Sequence, residues 1–232
     1  IFWREFVNGQ SVVKFNSAVV KLKPAEIDAI NLNCWKNMSF FASMTKVNMS
    51  IERISSVIKW INDKLLPSID SGTVLSGFAK DQMLNDEGFR KYIKEFTQKA
   101  DLRISEIEVE ETTYNLDKNQ LEIISNAKFL DENERAEILA KGTIKDINTN
   151  FRIRVKNSRG EEDYVLPEGS QSAGTTRVIE IESAIYTTLK DQAFLDIDEI
   201  EASLHPTLLD FILDRFLKEE GNESQLLVTT HY

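Results

Sequence analysis

One cysteine, two histidines and no long apolar run are what this chain has least of, and each scarcity excludes something. With Cys34 alone, neither an internal disulfide nor a cysteine-based metal site can form, and the usage fits a reducing cytoplasm. Cys34 sits in a helix-like stretch beside Trp35 and reads as a buried core thiol rather than a nucleophile. The absence of a long apolar run argues against a membrane span. The opening Ile1-Phe2-Trp3-Arg4-Glu5 lacks the basic-then-apolar order of a secretory signal. It also lacks an initiator Met, and with the end at His231-Tyr232 this leads us to expect a segment of a longer protein. No repeat and no low-complexity linker interrupts the chain.

Basic residues are also short: 28 against 38 acids, a net charge of −10. That excess does not support coating of nucleic acid through overall charge, though a local basic surface stays compatible with it. A nucleotide–Mg²⁺ site needs a few placed groups and no global charge. The 232 residues suffice for one large domain or for a domain carrying an inserted lobe.

Three segments differ in pattern. Residues 1–23 alternate in places (Val12, Val13, Phe15, Val19, Val20, Leu22) and read as strands. Residues 24–100 turn helical. Ile51, Ile54, Ile58, Ile61 and Leu65 keep three- and four-residue spacing over about Ser50 to Leu66, before Pro67. Phe89, Tyr92, Ile93 and Phe96 share one face of a helix starting near Asp86. Residues 101–232 read as an α/β lobe. Leu102, Ile104, Ile107 and Val109 alternate as a half-exposed strand. Phe151, Ile153 and Val155, the turn Asn157-Ser158-Arg159-Gly160, and Tyr164-Val165-Leu166 form a hairpin pattern.

The chemistry concentrates after Gly169. Ser170-Gln171-Ser172-Ala173-Gly174-Thr175-Thr176 feeds a helical pattern at Val178, Ile181, Ala184, Ile185 and Leu189. Such a turn exposes unpaired N–H groups at the positive end of a helix and suits a phosphate; alone, it equally describes a capped helix. Ala193-Phe194-Leu195-Asp196-Ile197-Asp198-Glu199 is an apolar strand ending in acids. Asp198 at its carboxyl end suits Mg²⁺, and Glu199 suits orienting or deprotonating water. Alone, two solvated acids at a strand end would look the same. Glu201-Ala202-Ser203-Leu204-His205-Pro206 then starts a helix. His205 there is either a capping residue or an interface contact, and the structural role is favoured. Two histidines alone do not make a usual zinc site, though Asp196 or Glu201 could in principle complete one. Gln225-Leu226-Leu227-Val228-Thr229-Thr230-His231 is a buried-type strand that places His231 at the ligand edge of a sheet. Gly174 to Asp198 is 24 positions and Asp198 to His231 is 33, each enough for one helix and its turns between parallel strands. The order of the elements carries more weight than any one of them.

Ser172-Ala173-Gly174-Thr175, Ile197-Asp198-Glu199-Ile200-Glu201-Ala202-Ser203-Leu204-His205-Pro206 and Thr229-Thr230-His231 together resemble the AAA-type ATPases of ABC-like architecture found in bacterial defence and overcoming-lysogenization systems. The resemblance is strong over about the last third of the chain. It implies an α/β P-loop NTPase fold of ABC type, here the C-terminal part of the head, with residues 24–100 as an inserted helical lobe serving as a lid or partner-docking element. It implies ATP and Mg²⁺ as cofactors, Asp198 as the Walker B aspartate at the metal, Glu199 as catalytic base and His231 as the switch histidine at the γ-phosphate. Ser172, Gly174 and Thr175 would form the signature that meets the ATP of an opposite head. A homodimer through the heads, a nuclease effector, a cytoplasmic location and a role in phage defence follow from the same resemblance.

Three departures stand against the family pattern. No G-x-x-x-x-G-K-[ST] phosphate loop is present; we expect it to precede Ile1, and expect negligible turnover from these 232 residues by themselves. Gln171 stands where an acid is common. Asp196 interrupts the apolar strand on the same side as Asp198, so it is expected either near the metal or paired with a cation. Two other functions remain open at this level. One is a non-catalytic interaction module of the same fold. The other is a metal-dependent nuclease using Asp196, Asp198, Glu199 and Glu201.

Overall fold

The computed structural model describes the chain except Asp101, Lys128, Phe129, Arg159 and Tyr232, and except the side chain of Arg53. It divides into two units, Ile1–Leu65 and Leu66–Tyr232. The division falls inside the helical stretch that the sequence groups as residues 24–100.

In the first unit, β1 (Phe2–Val7) and β2 (Gln10–Phe15) form an antiparallel hairpin. Its turn residues Asn8 and Gly9 both take positive φ (51° and 79°), the conformation a two-residue hairpin turn demands. The chain then enters α1 (Pro24–Asn33), where proline at the first helical position needs no N–H partner. Val19, Val20 and Leu22, which alternate like a strand, pack beside the hairpin without pairing into it. The helices α2 (Phe40–Met44) and α3 (Glu52–Lys64) complete the unit. Val13, Ile30, Cys34, Phe40, Met44 and Ile54 make its core. Cys34 is 1% exposed, the buried thiol its context suggests. Arg4 anchors the hairpin by donating to the carbonyls of Met38 (2.6 Å) and Trp35 (2.7 Å).

The second unit begins with helices α4 (Ser76–Asn85) and α5 (Glu87–Lys99). Asp86 caps α5 by accepting from Phe89 N–H, where the sequence places a helix start. A three-stranded antiparallel sheet follows in the order β3 (Ile104–Asn115), β4 (Thr143–Asn157), β5 (Gly160–Pro167). The β4–β5 hairpin matches the turn signal, although Arg159 within it lies outside the described residues. Between β3 and β4 run α6 (Lys118–Asn126) and α7 (Glu132–Lys141), two helices whose faces are mostly exposed.

The last third builds a parallel pair: α8 (Ala173–Asp191), β6 (Phe194–Ile197), α9 (Pro206–Lys218) and β7 (Gln225–Val228), with β6 beside β7. Phe89, Ile93, Phe96, Ile181, Ile185, Leu195, Ile197 and Ile212 are nearly or fully buried between these helices and strands. At its own midpoint α8 carries Glu182, 1% exposed, which accepts from Tyr92 of α5 (2.7 Å) and from Arg215 of α9 (3.2 Å). The Arg215 guanidinium also lies over the Tyr92 ring at 3.9 Å. Loss of hydration raises the Glu182 carboxyl to about 7, against the opposing pull of Tyr92 and Arg215. The same burial, with Glu182 next to it, pushes the Tyr92 hydroxyl upward.

Candidate functional site

The site grows from the way β6 is held. α8 stops where Gln192 turns left-handed (φ 49°) and its N–H closes on the Leu189 carbonyl. The chain then runs into β6, whose Leu195 and Ile197 are each 1% exposed. On one edge β7 pairs in register, Ile197 against Val228. On the other edge the segment 66–69 adds a backbone ladder. Leu66 N–H donates to the Phe194 carbonyl (2.9 Å), Ile69 N–H to Asp196 (3.0 Å), and Asp198 N–H to Ile69 (2.7 Å). Backbone bonds on both sides fix where the strand ends. Asp198, one residue beyond it, is exposed at the carboxyl end.

Among the described residues no cation pairs with Asp196. It accepts from the Ser68 hydroxyl at 2.5 Å, and it is half-buried. A neutral donor from the neighbouring segment therefore meets the polar demand of an acid inside an apolar strand.

Beyond Asp198 the backbone turns sharply. Glu199 has φ 50° and Ser203 has φ 65°, left-handed conformations that cost a non-glycine residue about 1 kcal/mol or more. The turn at Glu199 is held by the residue that follows β7. Glu199 N–H donates to the Thr229 hydroxyl (2.9 Å), and that hydroxyl donates to Asp198 Oδ1. The Glu199 carboxylate reaches His231 Nε2 at 3.2 Å. Glu201 Oε1 accepts His231 N–H at 2.8 Å. Hydrogen bonding to Glu199, then the charges of Glu199, Glu201 and Asp198, raise the His231 imidazole above the usual histidine value. The His231 and Thr230 donors hold Glu201 below the usual carboxylate value.

Three of the residues singled out in the sequence, Asp198, Glu199 and His231, thus meet at the ends of β6 and β7. The other three form a second group at the start of α8. Ser172 caps the helix by accepting from Thr175 N–H (3.0 Å), and its hydroxyl lies 2.9 Å from the Thr175 hydroxyl. Gly174 sits against the loop that follows Glu199: a Cβ there would stand 2.9 Å from the Ser203 carbonyl oxygen. Only a residue without a side chain fits that approach. No bond joins the two groups among the described residues; the loop from Glu199 to Ser203 lies between them. His205 caps α9, accepting from Thr207 N–H at 3.3 Å, in the structural role its position suggests.

Sequence reasoning assigned nothing to several residues that shape this region. Thr229 was visible only as a polar residue at a strand end. Arg177, 7% exposed, donates to the carbonyls of Thr73 (2.7 Å) and Asp70 (2.9 Å), tying the first turns of α8 to the loop after Ile69. An arginine on the face that also carries Ile181 and Ala184 was the available signal. Ser68 had none.

The oxygen donors at Asp198 suit Mg²⁺, which keeps several waters and takes one or two carboxylates plus phosphate oxygens. Among the described residues no group of three or more His, Cys, Asp and Glu side chains is arranged as an all-protein metal cage.

Acids at the carboxyl end of parallel strands, with a histidine on the adjacent strand, lie where open α/β sheets take their ligands. They define an α/β protein with a candidate ligand site at that edge. A family model for the AbiEii toxin-like AAA domain of type IV TA systems matches residues 46–231. The chain belongs to this AAA-domain family, and with it to the P-loop ATPases. AAA ATPases generally use ATP and Mg²⁺. No curated protein and no solved structure matches the chain. Among the described residues no helix is long and apolar enough to cross a membrane.

Proposed function

We propose that the chain forms part of the ATP-binding and ATP-hydrolysing head of an ABC-type AAA ATPase that acts as a head dimer and drives an effector, a nuclease among the candidates, in phage defence. The observation that carries this reading is the meeting of Asp198, Glu199 and His231 at the ends of two neighbouring parallel strands. The type IV TA description of the family supports the defence setting.

Each residue has a physical task in this reading. Asp198 holds Mg²⁺, directly or through water, with a carboxylate that faces solvent. Glu199 accepts the proton of, or orients, the attacking water. His231, 80% exposed, presents Nε2 as a donor beside Glu199. Bound Mg²⁺–ATP supplies the phosphoryl group and the charge that these side chains act on. Ser172, Gly174 and Thr175 offer a capped helix N-terminus to a phosphate of the opposite head. The helical segment 24–100 serves as a lid or a docking lobe for the effector.

ATP hydrolysis by the full-length protein, measured with Mg²⁺, tests the reading against Glu199→Gln. Loss of the base should slow turnover by about 100-fold or more. Equal rates would sink the assignment.

A further inference from the structure

We propose that Thr229 is a positioning residue: its single hydroxyl fixes the Asp198 carboxylate and the left-handed turn at Glu199 together, and so sets the Glu199–His231 pair. The inference rests on the reading above for its bearing on catalysis, but its geometry stands independently of ATP.

A threonine on the exposed rim of a sheet would ordinarily give its hydroxyl to water. Thr229 is exposed, yet both directions of its hydroxyl are used within the loop. It accepts Glu199 N–H at 2.9 Å and donates to Asp198 Oδ1. A hydroxyl has one proton to give, so the Asp198 bond fixes its direction and leaves a lone pair for Glu199. The main chain adds two more bonds. Thr229 N–H donates to the Ile197 carbonyl at 3.1 Å, and the Thr229 carbonyl accepts Ile200 N–H at 3.2 Å. Four consecutive residues, from Ile197 at the end of β6 to Ile200 in the acidic loop, are therefore held by the residue that follows β7.

The backbone at Glu199 makes this hold consequential. At φ 50° it is in a region that a residue with a side chain avoids. In a relaxed turn its side chain would leave in another direction. The strained turn brings Oε1 to 3.2 Å from His231 Nε2. The hydroxyl opposes that strain through a neutral bond to the peptide N–H and a charge-assisted bond to Asp198. His231 faces three carboxylates, Glu199, Glu201 and Asp198, and the first is the one whose direction the turn decides. Glu201 is held separately, by His231 N–H.

The test compares Thr229→Val, which keeps the β-branched shape and removes the hydroxyl, with Thr229→Ser, which keeps the hydroxyl. The full-length protein, free of nucleotide and metal, is titrated by histidine NMR. The sequence has two imidazoles, His205 and His231. His205, in the cap of α9, is the folding reference. In Thr229→Val the His231 titration should fall toward the ordinary histidine value while the fold, read from the wild-type chemical shifts of the His205 ring, is kept; Thr229→Ser should hold close to wild type. Thr229→Ala must behave as Thr229→Val does, which separates loss of the hydroxyl from any effect of valine. In ATP hydrolysis, Thr229→Val should lower kcat at least about tenfold with KM little changed, and Thr229→Ser should restore most of it. An unmoved His231 in both hydroxyl-free variants overturns the proposal, as does a serine variant that loses as much as valine. If the titration responds but the wild-type protein does not hydrolyse ATP, the positioning role stands and the ATPase reading falls. If hydrolysis is robust and indifferent to Thr229, the positioning role falls alone.

Discussion

Gly77, Gly88 and Gly174 are each the second residue of a helix, and this gives a matched set for measuring the contact between α8 and the acidic loop. At such a position alanine loses less backbone entropy on folding than glycine does, a gain of about 0.5–1 kcal/mol where space allows. Gly77 has nothing within 4 Å of an added Cβ, so Gly77→Ala should show that gain undiluted. At Gly174 the added carbon would meet the Ser203 carbonyl oxygen at 2.9 Å, a backbone atom in a loop already at φ 65°. Relieving such an overlap costs about 1–3 kcal/mol. The net expectation for Gly174→Ala is a loss of up to about 2.5 kcal/mol, which in a domain of this size lowers Tm by up to roughly 10 °C. Gly88 lies between the two: the nearest obstacle is the Tyr186 hydroxyl at 2.5 Å, the end of a side chain that can rotate at the expense of its bonds to Asp86. Thermal melts of the three variants should rank Gly77→Ala above Gly88→Ala above Gly174→Ala. ATP hydrolysis should fall in Gly174→Ala alone, because only that Cβ displaces the loop carrying Glu199. A Gly174→Ala protein as stable as Gly77→Ala would refute the close approach and the reason given for glycine there.

Two predictions concern protons. The His231 value is raised in the folded protein, so the stability contributed by its pairing with Glu199 is complete below the ordinary histidine value and disappears as pH rises through the raised one. The Tm difference between wild type and Glu199→Gln should therefore shrink with rising pH across that window; a difference independent of pH would contradict the pairing. Glu182, raised to about 7 by burial, contributes stability that is complete below the ordinary carboxylate value and lost as pH rises through about 7. Against the neutral Glu182→Gln, the wild-type advantage in denaturant melts should be greater at pH 5 than at pH 8 by on the order of 2 kcal/mol; an equal advantage at the two pH values, or a greater one at pH 8, would mean that the carboxyl is not raised in the fold.

What was legible in the sequence is what side-chain periodicity and capping chemistry write there. The run Ile51, Ile54, Ile58 marks α3, Asp86 marks the start of α5, Ser172 that of α8, and Pro206 that of α9. The alternation around Phe151 and Tyr164 marks the β4–β5 hairpin. What was not legible is carried by the backbone or by distant partners. The chain divides after Leu65 because residues 66–69 add a ladder of peptide hydrogen bonds to β6, and peptide bonds leave no residue signature. The short helices α6 and α7 bury little and so write a weak apolar pattern. Asp196 finds its partner Ser68 across 128 positions, a pairing no local pattern records. At the site, Asp198, Glu199 and His231 stood out as chemistry-bearing types in sequence order. Thr229 did not, because its importance lies in one hydroxyl placed between two other residues.

The buried Glu182 has a mechanical consequence. α8 is 19 residues long, about 28 Å of nearly rigid rod, with the Ser172 turn at one end and the entry to β6 at the other. Glu182 stands at its centre and is bonded there to helices on either side of it in the chain, α5 and α9. The same rod is tied near its start by Arg177 to the loop after Ile69 and near its end by Lys190 to Asp86, so the Ser172 turn and the entry to β6 are kept at a fixed separation.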